Sequence, residues 1–418
     1  MTRVVIIGAG LSGLVAARRL ADAGIEVHVV EQEDTVGGRV QTIEKDGFTL
    51  DRGFQVLFTA YPAARRELDF DALELYAFEP GATIARPGHR SVLADPLRNP
   101  GDLSESLFNR EVTFRDKFRI LKLRRALGKR DPETFFDGED RSIEDGLRAR
   151  GFSQSFIDNF AAPFYGGITL DRSLATSAAV FDYTFQMLAT GDTVVPKQGM
   201  GAIPEQLADH ARQSGANISL DTHAVGVFGG DAPTVELDDE TLEADAVVVA
   251  TDPKSAYDLT DVSAIPRQAQ SCVTQYYSLS TPLDTDRRLV LNATEEGPNQ
   301  VAPLSAVCPN YAPGGEHLVS ATYLGLPDAT DAELTERSRD ALASWFPEQS
   351  FGSLRHIHTD RIEFAQFSQP PGFKSGLPDV RDGDENVYLA GDWTQWSSIQ
   401  GALESGRVAA EVVLADHR

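Results

Sequence analysis

An α/β fold, in which one domain built around a parallel sheet is interleaved with a second, α+β domain, is predicted by three observations. The first residues form an apolar run, Val4-Val5-Ile6-Ile7, that passes into a glycine turn, Gly8-Ala9-Gly10-Leu11-Ser12-Gly13, at the start of a helical stripe. Two further apolar runs, Ala246 to Ala250 and Val387 to Ala390, also end in small-residue turns far along the chain. A chain of 418 residues is too long for one simple core, so two interleaved domains are expected.

Each element has a local reason. Val4 to Ile7 lacks polar alternation, as a parallel strand buried on both faces does. Leu11, Leu14, Val15 and Leu20 give a helical stripe, Gly24 ends it, and Glu26 to Val30 alternates as the next strand. In this strand–turn–helix context the glycines permit a tight turn and close backbone approach to a pyrophosphate. The helix start directs unpaired N–H groups and a positive dipole end at the same place. Gly8, Gly10, Leu11, Ser12 and Gly13 are therefore read as dinucleotide-binding. Glu31 is suited to a ribose diol and would repel a 2′-phosphate, which disfavours NADP and leaves FAD or NAD. After Glu31 and Gln32 comes Gly37-Gly38-Arg39, which brings more backbone and a fixed cation to the same phosphates.

The C-terminal run Asn386 to Ala390 ends in Gly391-Asp392-Trp393, and Ser398-Ile399-Gln400-Gly401 opens a last helix. Its N-terminus would stabilise negative charge on a bound ring. Between the ends, Val195 to Leu207 has a glycine-then-helix form, Asn217 to Val227 reads as strand, turn, strand, and Ala244 to Thr251 as a strand ending in a turn.

On these motifs the chain resembles the flavin-dependent amine oxidase superfamily, which includes monoamine oxidases, protoporphyrinogen oxidases and the phytoene desaturase group. The resemblance is strong at 1–60, 195–255 and 385–415. It implies an FAD-binding Rossmann-like domain from 1–75, 190–265 and 355–418, and an α+β substrate domain of mixed sheet and helices from 76–189 and 266–354. It places Gly37, Gly38, Arg39, Gly391 and Asp392 at FAD, with Ser398, Ile399 and Gln400 facing the flavin ring. Val225 would hold the adenine, Thr251 would pack on the dinucleotide, and Gly53, Phe54 and Gln55 would lie near the ring. Candidate cavity residues are Tyr165, Lys197, Gln395 and Trp396, each with an ordinary alternative: core aromatics for Tyr165 and Trp396, an exposed loop lysine for Lys197. No cysteine lies between Gly391 and Ser398, where monoamine oxidases carry the flavin-bonded one, so FAD is expected to be non-covalent. Ser271 to Ser278 also lacks the lysine of amine oxidases. With its Ala-Gly-Asp-Trp ending, the chain looks closer to the carotenoid desaturase and hydroxysqualene dehydroxylase branch.

Composition sets the surroundings. A net charge of -25 and a pI near 4.7 argue against a nucleic-acid partner. Only seven cations are lysines against 63 acidic residues, which points to a cytoplasmic enzyme of a high-salt organism. No apolar run is long enough to span a membrane, and the apolar start is expected to be a strand, not a signal peptide. Cys272 and Cys308 are expected to be free thiols, and His356 and His358 on one strand lack a third metal ligand. One basic stretch, 114–130, carries eight cations and two apolar faces: Phe114, Phe118 and Leu121 on one, Ile120, Leu123 and Leu127 on the other. Two faces predict a helix sandwiched within the protein; the alternative is a helix lying on a membrane surface.

With no nucleophile elbow, zinc helix or P-loop, the flavin would carry the chemistry. The expected function is FAD-dependent dehydrogenation, desaturation or oxidation of an apolar, isoprenoid-like molecule, with hydride passing to flavin N5 and electrons to oxygen or a quinone. Amine or protoporphyrinogen oxidation, a flavin-dependent mutase and a non-redox prenyl-lipid carrier remain as alternatives.

Overall fold

Five parallel strands form the first sheet, in the spatial order Asn217–Ser219, Glu26–Val30, Arg3–Ile7, Ala246–Val249 and Val387–Leu389. The computed structural model describes residues 2–94, 112–294 and 296–417. The apolar run of the first strand serves both faces. Val4 and Ile6 pack in a core with Leu14 and Val15 of the Leu11–Asp22 helix, Ala208 and Ala211 of Ala202–Gln213, and Ala409 and Val413 of Ile399–Asp416. Val5 and Ile7 pack on the other side against Val235 and Leu242 of an antiparallel meander, Ala224–Phe228, Thr234–Leu237 and Thr241–Glu243. Burial on both sides explains why alternation is absent.

The second sheet has seven strands, in the order Arg355–Phe367, Ala269–Leu279, His317–Leu324, Gln300–Ala302, Leu289–Asn292, Gly81–Arg86 and His89–Ala94. All its pairs are antiparallel except Leu289–Asn292 with Gly81–Arg86. Along Ala269–Leu279 the side chains alternate. Tyr277 goes to a core with Trp345 of the Asp331–Trp345 helix, while Cys272 and Thr274 face a cavity. The strand Arg355–Phe367, assigned above to the cofactor segments, instead pairs along the edge of this sheet, with Thr274 opposite Asp360. Its reason is the 11-residue strand beside it, which offers a long antiparallel edge. Phe367, at its end, reaches the core of the first sheet, so the strand bridges the two layers. Of the expected second domain, 95–111 lies outside the described residues.

Helices Phe114–Leu127, Ala162–Thr169 and Ala178–Thr190 line the cavity, and Ile143–Ala149 packs on Ala178–Thr190. The first is opened by a capping box between Thr113 and Asp116. It is not sandwiched. Leu123 and Leu127 are buried, but Phe114 and Phe118 are each 70% exposed and Leu121 is 42% exposed. Ala178–Thr190 covers only one side: Arg124 Nη2 donates to the Ala189 carbonyl at 3.1 Å, and Gln186 Nε2 donates to the Leu127 carbonyl at 2.7 Å.

Candidate functional site

The glycine turn, Glu31 after the Glu26–Val30 strand and Asp392 after the Val387–Leu389 strand lie at the carboxyl edge of the first sheet, where a ligand of a parallel sheet is expected. Gly8 holds φ at +104°, a left-handed conformation that favours glycine. Gly10 caps the Leu11–Asp22 helix without any side-chain hydrogen bond, so the first-turn N–H groups stay available to an anion. A Cβ added at Gly10 would meet no protein atom within 4 Å, whereas one at Gly13 would fall 2.1 Å from the Gly8 carbonyl oxygen. Gly10 thus opens to the cavity, while Gly13 serves close packing behind it.

Glu31 is buried and does two local jobs. Its Oε2 accepts the Ala9 N–H at 2.6 Å and its Oε1 accepts the Glu33 N–H at 3.1 Å. The carboxylate therefore braces the glycine turn that it faces. Gly37 docks on the same turn by donating its N–H to the Ala9 carbonyl at 2.9 Å. Two residues on, Arg39 Nη2 lies 2.5 Å from Asp392 Oδ1, and its Nη1 donates to the Ala365 carbonyl at 3.3 Å. Burial acts to lower the Arg39 pKa, but Asp392 outweighs it and holds the guanidinium above its ordinary value. The second Asp392 oxygen accepts the Ser397 hydroxyl at 2.8 Å. Gln55 Nε2 completes the cluster by donating to the Arg39 carbonyl at 2.8 Å.

These groups wall one end of a continuous cavity of about 1410 Å³. Most of the expected residues line it: Gly8, Gly10, Leu11, Ser12, Glu31, Gln32, Gly37, Gly38, Arg39, Gly53, Phe54, Gln55, Val225, Thr251, Gly391, Asp392, Ser398 and Ile399, with Tyr165 and Trp396. Four do not. Gly13 packs behind the turn, and Gln400 is turned away, its Oε1 accepting the Ala63 N–H at 2.9 Å. Lys197 stands on a partly exposed loop with Nζ 2.8 Å from Glu74 Oε2, the ordinary alternative for a loop lysine. Gln395 Oε1 accepts the ammonium of Lys374 at 3.0 Å, outside the lining.

The far part of the cavity is aromatic. Phe152, Phe156, Phe160 and Phe164 form a ladder with ring centroids 4.5, 5.4 and 5.2 Å apart, and all four line the space. Tyr165 continues it, 4.4 Å from Phe181. A π-helical turn, Ile157–Ala161, joins Gln154–Phe156 to Ala162–Thr169 and shifts the stripe within the ladder. Trp396 packs 4.9 Å from Tyr183 and 5.6 Å from Phe136. The second sheet adds Cys272, Thr274, Gln300, Thr322 and Gln366 to the lining. Thr274 Oγ1 lies 3.4 Å from Thr322 Oγ1, and Gln366 Nε2 donates to the Ile168 carbonyl at 2.9 Å.

Residues 11–414 match the family described as Flavin containing amine oxidoreductase. The chain belongs to this family. A 15-cis-phytoene desaturase of Capsicum annuum is 24% identical over 463 residues, covering 99% of this chain and 78% of that protein. A phytoene dehydrogenase of Streptomyces griseus is 30% identical over 289 residues, covering 61% of this chain and 55% of that protein. The fold matches that of an oxidoreductase from Methanosarcina mazei with a TM-score of 0.77 and 19% identity, over 98% of this chain and 100% of that one. The chain is thus an FAD-dependent oxidoreductase of the flavin containing amine oxidoreductase family.

The glycine cradle fits the family's flavin: an open face at Gly10, an uncapped helix start, and the Arg39–Asp392 clamp line one continuous space. The same flavin oxidoreductase fold carries groups that local motifs do not announce. Lys374 is partly buried, its Nζ donates to the Thr394 carbonyl at 3.2 Å and to Gln395, and desolvation pushes its pKa down to about 8. It tethers the turn that leads into the last helix. The phenylalanine ladder had a sequence signal, a spacing of four from Phe152, just before the helical stretch, to Phe164 within it. Thr274, Gln300, Thr322 and Gln366 had none, because they converge only through sheet register. Cys272 is no nucleophile at neutral pH: burial, with the charge of Asp360, pushes its thiol up to about 11. Burial, aided by Asp182, likewise keeps the Tyr165 phenol protonated.

Proposed function

We propose that this oxidoreductase removes hydrogen from an elongated, apolar, isoprenoid-like molecule held along the phenylalanine ladder. The observation that carries the reading is the lining of the cavity: an aromatic ladder of Phe152, Phe156, Phe160 and Phe164 shares it with hydroxyls, carboxamides and a neutral thiol from the second sheet. Such a surface offers extended apolar contact and excludes water. The phytoene desaturase and phytoene dehydrogenase relatives support the same substrate class.

Gly8, Gly10, Glu31, Gly37, Gly38, Arg39 and Asp392 would hold FAD, non-covalently, with its phosphates at the start of the Leu11–Asp22 helix. When bound, FAD supplies a hydride acceptor. The aromatic ladder fixes where the substrate carbon chain lies, and Trp396 and Tyr165 close the space around the reacting end. The accompanying proton leaves to water or a side chain, and oxygen or a quinone takes the electrons. We place this enzyme in the cytoplasm of a high-salt organism on its charge composition.

Anaerobic bleaching of the bound flavin at about 450 nm tests the reading directly. Isoprenoids, porphyrinogens and amines are each mixed with the holoenzyme. Bleaching by isoprenoids, slowed by Phe160→Ala, is expected. Bleaching by amines or porphyrinogens alone would assign the oxidase chemistry instead, and no bleaching with an isoprenoid bound would favour a carrier or mutase.

A further inference from the structure

We propose that the helix Phe114–Leu127 is a docking surface for an anionic lipid bilayer, placed at the mouth of the cavity so that an apolar substrate passes between membrane and site. The inference rests on the substrate reading above. Three of the seven large apolar side chains exposed among the described residues, Phe114, Phe118 and Leu121, lie on this one helix. Their spacing of four and three puts them on one face, opposite the buried Leu123 and Leu127. An apolar face held in water has a cost that insertion into a lipid interface removes.

Charge says which surface covers it. The chain has a net charge of -25, yet this helix carries six cations and one acid, Asp116. That acid is buried, with Oδ1 accepting the Ser153 N–H at 2.9 Å and Oδ2 accepting the Ser153 hydroxyl at 2.6 Å. Arg119 leans on Asp116 and Arg124 reaches the Ala189 carbonyl. Arg115, Lys122 and Arg125 are exposed. An acidic body repelled by an anionic membrane and a basic, apolar helix attracted to it select one orientation. No helix among the described residues is long and apolar enough to cross a membrane, so this helix would lie on the surface.

Position links the surface to the site. Phe114, Lys117 and Leu121 line the cavity and are themselves exposed or partly exposed, so the cavity opens beside the docking face. Phe118 stands outside that lining.

Vesicle flotation at about 0.1 M salt reads the proposal without turnover. The FAD-loaded protein is mixed with vesicles of equal parts phosphatidylglycerol and phosphatidylcholine, or of phosphatidylcholine alone. Flotation is expected with the first and not the second. The variant F118S/K122E/R125E should float at least about tenfold less, with unchanged circular dichroism, FAD content and bleaching by detergent-dispersed substrate. If the triple variant misfolds, F118S and K122E/R125E are read separately. Equal flotation of wild type and variants, equal binding to both vesicles, or no binding to either would overturn the proposal. So would a wild-type dimer that F118S dissociates, since a second copy would then cover the face. Because flotation needs no substrate, loss of bleaching with intact flotation counts against the substrate reading alone.

Discussion

The guanidinium of Arg39 meets the carboxylate of Asp392 at 2.5 Å across 353 positions of sequence, and both side chains line the cavity beside the glycine turn. The pair closes the site from both ends of the chain, and Ser397 holds the second carboxylate oxygen. Asp392→Asn keeps the volume and the Ser397 contact but leaves a partly buried cation without its counter-charge. FAD affinity is expected to fall about 10- to 100-fold, which is roughly 1.4 to 2.8 kcal/mol. Titration of apoprotein with FAD, and the flavin retained through gel filtration, measure it. Retention equal to wild type would show that the clamp only joins segments.

Gly10 and Gly13, three residues apart in one turn, differ in what surrounds them: Gly10 is open and Gly13 is tightly packed. A Cβ at Gly13 meets the Gly8 carbonyl oxygen at 2.1 Å, so Gly13→Ala forces the turn and the helix apart. The apoprotein should lose about 2 to 3 kcal/mol. Gly10 has φ -75°, open to any residue, and free space beyond its Cα. Gly10→Ala should leave apoprotein stability within about 0.5 kcal/mol of wild type while weakening FAD, because the methyl occupies the space of the phosphates. Denaturant melts without FAD, followed by FAD titration, distinguish the two variants. A destabilised Gly10→Ala apoprotein would contradict this division.

Much of the lining of the candidate cofactor site was legible because its signals are local. A strand, its glycine turn and its helix lie within about twenty residues, and Glu31 follows at the end of the next strand, so spacing alone orders them. Gln400 was misplaced for a local reason too: at about 100° per residue, the position after Ile399 rotates off the cavity face and meets the Ala63 backbone. Arg355–Phe367 joined the second sheet because strand membership depends on pairing with Ala269–Leu279, and distant pairing leaves no trace in a strand's own pattern. The two apolar faces of Phe114–Leu127 were visible in the sequence, but not which of them the Ala178–Thr190 helix would leave uncovered.

Asp51 should leave a pH signature of unusual sign. Burial pushes its pKa up from 3.8 to about 6, even though Thr42 Oγ1 donates to it at 2.6 Å and the Met200 N–H donates at 2.7 Å. The folded protein therefore binds more protons than the unfolded chain between those values. Stability from this group is full below the unfolded pKa and is lost as pH rises through about 6. The whole effect is about 3 kcal/mol. Asp51→Asn keeps an accepting oxygen and does not titrate, so wild-type stability minus variant stability should decline from pH 4 to about pH 6.5. Urea melts across that range measure the difference. A difference that rises with pH would mean that the folded site stabilises the carboxylate.

Salt should act on this protein through its net charge of -25. At about 0.1 M salt the screening length is roughly 10 Å and neighbouring acids repel; at about 1 M it is roughly 3 Å and most of that repulsion disappears. Surface ion pairs such as Arg381–Asp416 and Arg361–Asp331 weaken over the same range, but exposed pairs contribute little, typically below about 1 kcal/mol each. Repulsion among 63 acids against 38 cations therefore dominates. The thermal midpoint should rise steadily from low salt to molar KCl. Neutralising exposed acids such as Asp238, Asp239 and Glu240, which sit together at the Thr234–Glu243 hairpin, should raise the low-salt midpoint and flatten the salt curve. Calorimetry over a KCl series reads both effects, and a midpoint that does not change with salt would remove charge repulsion as the reason for the composition.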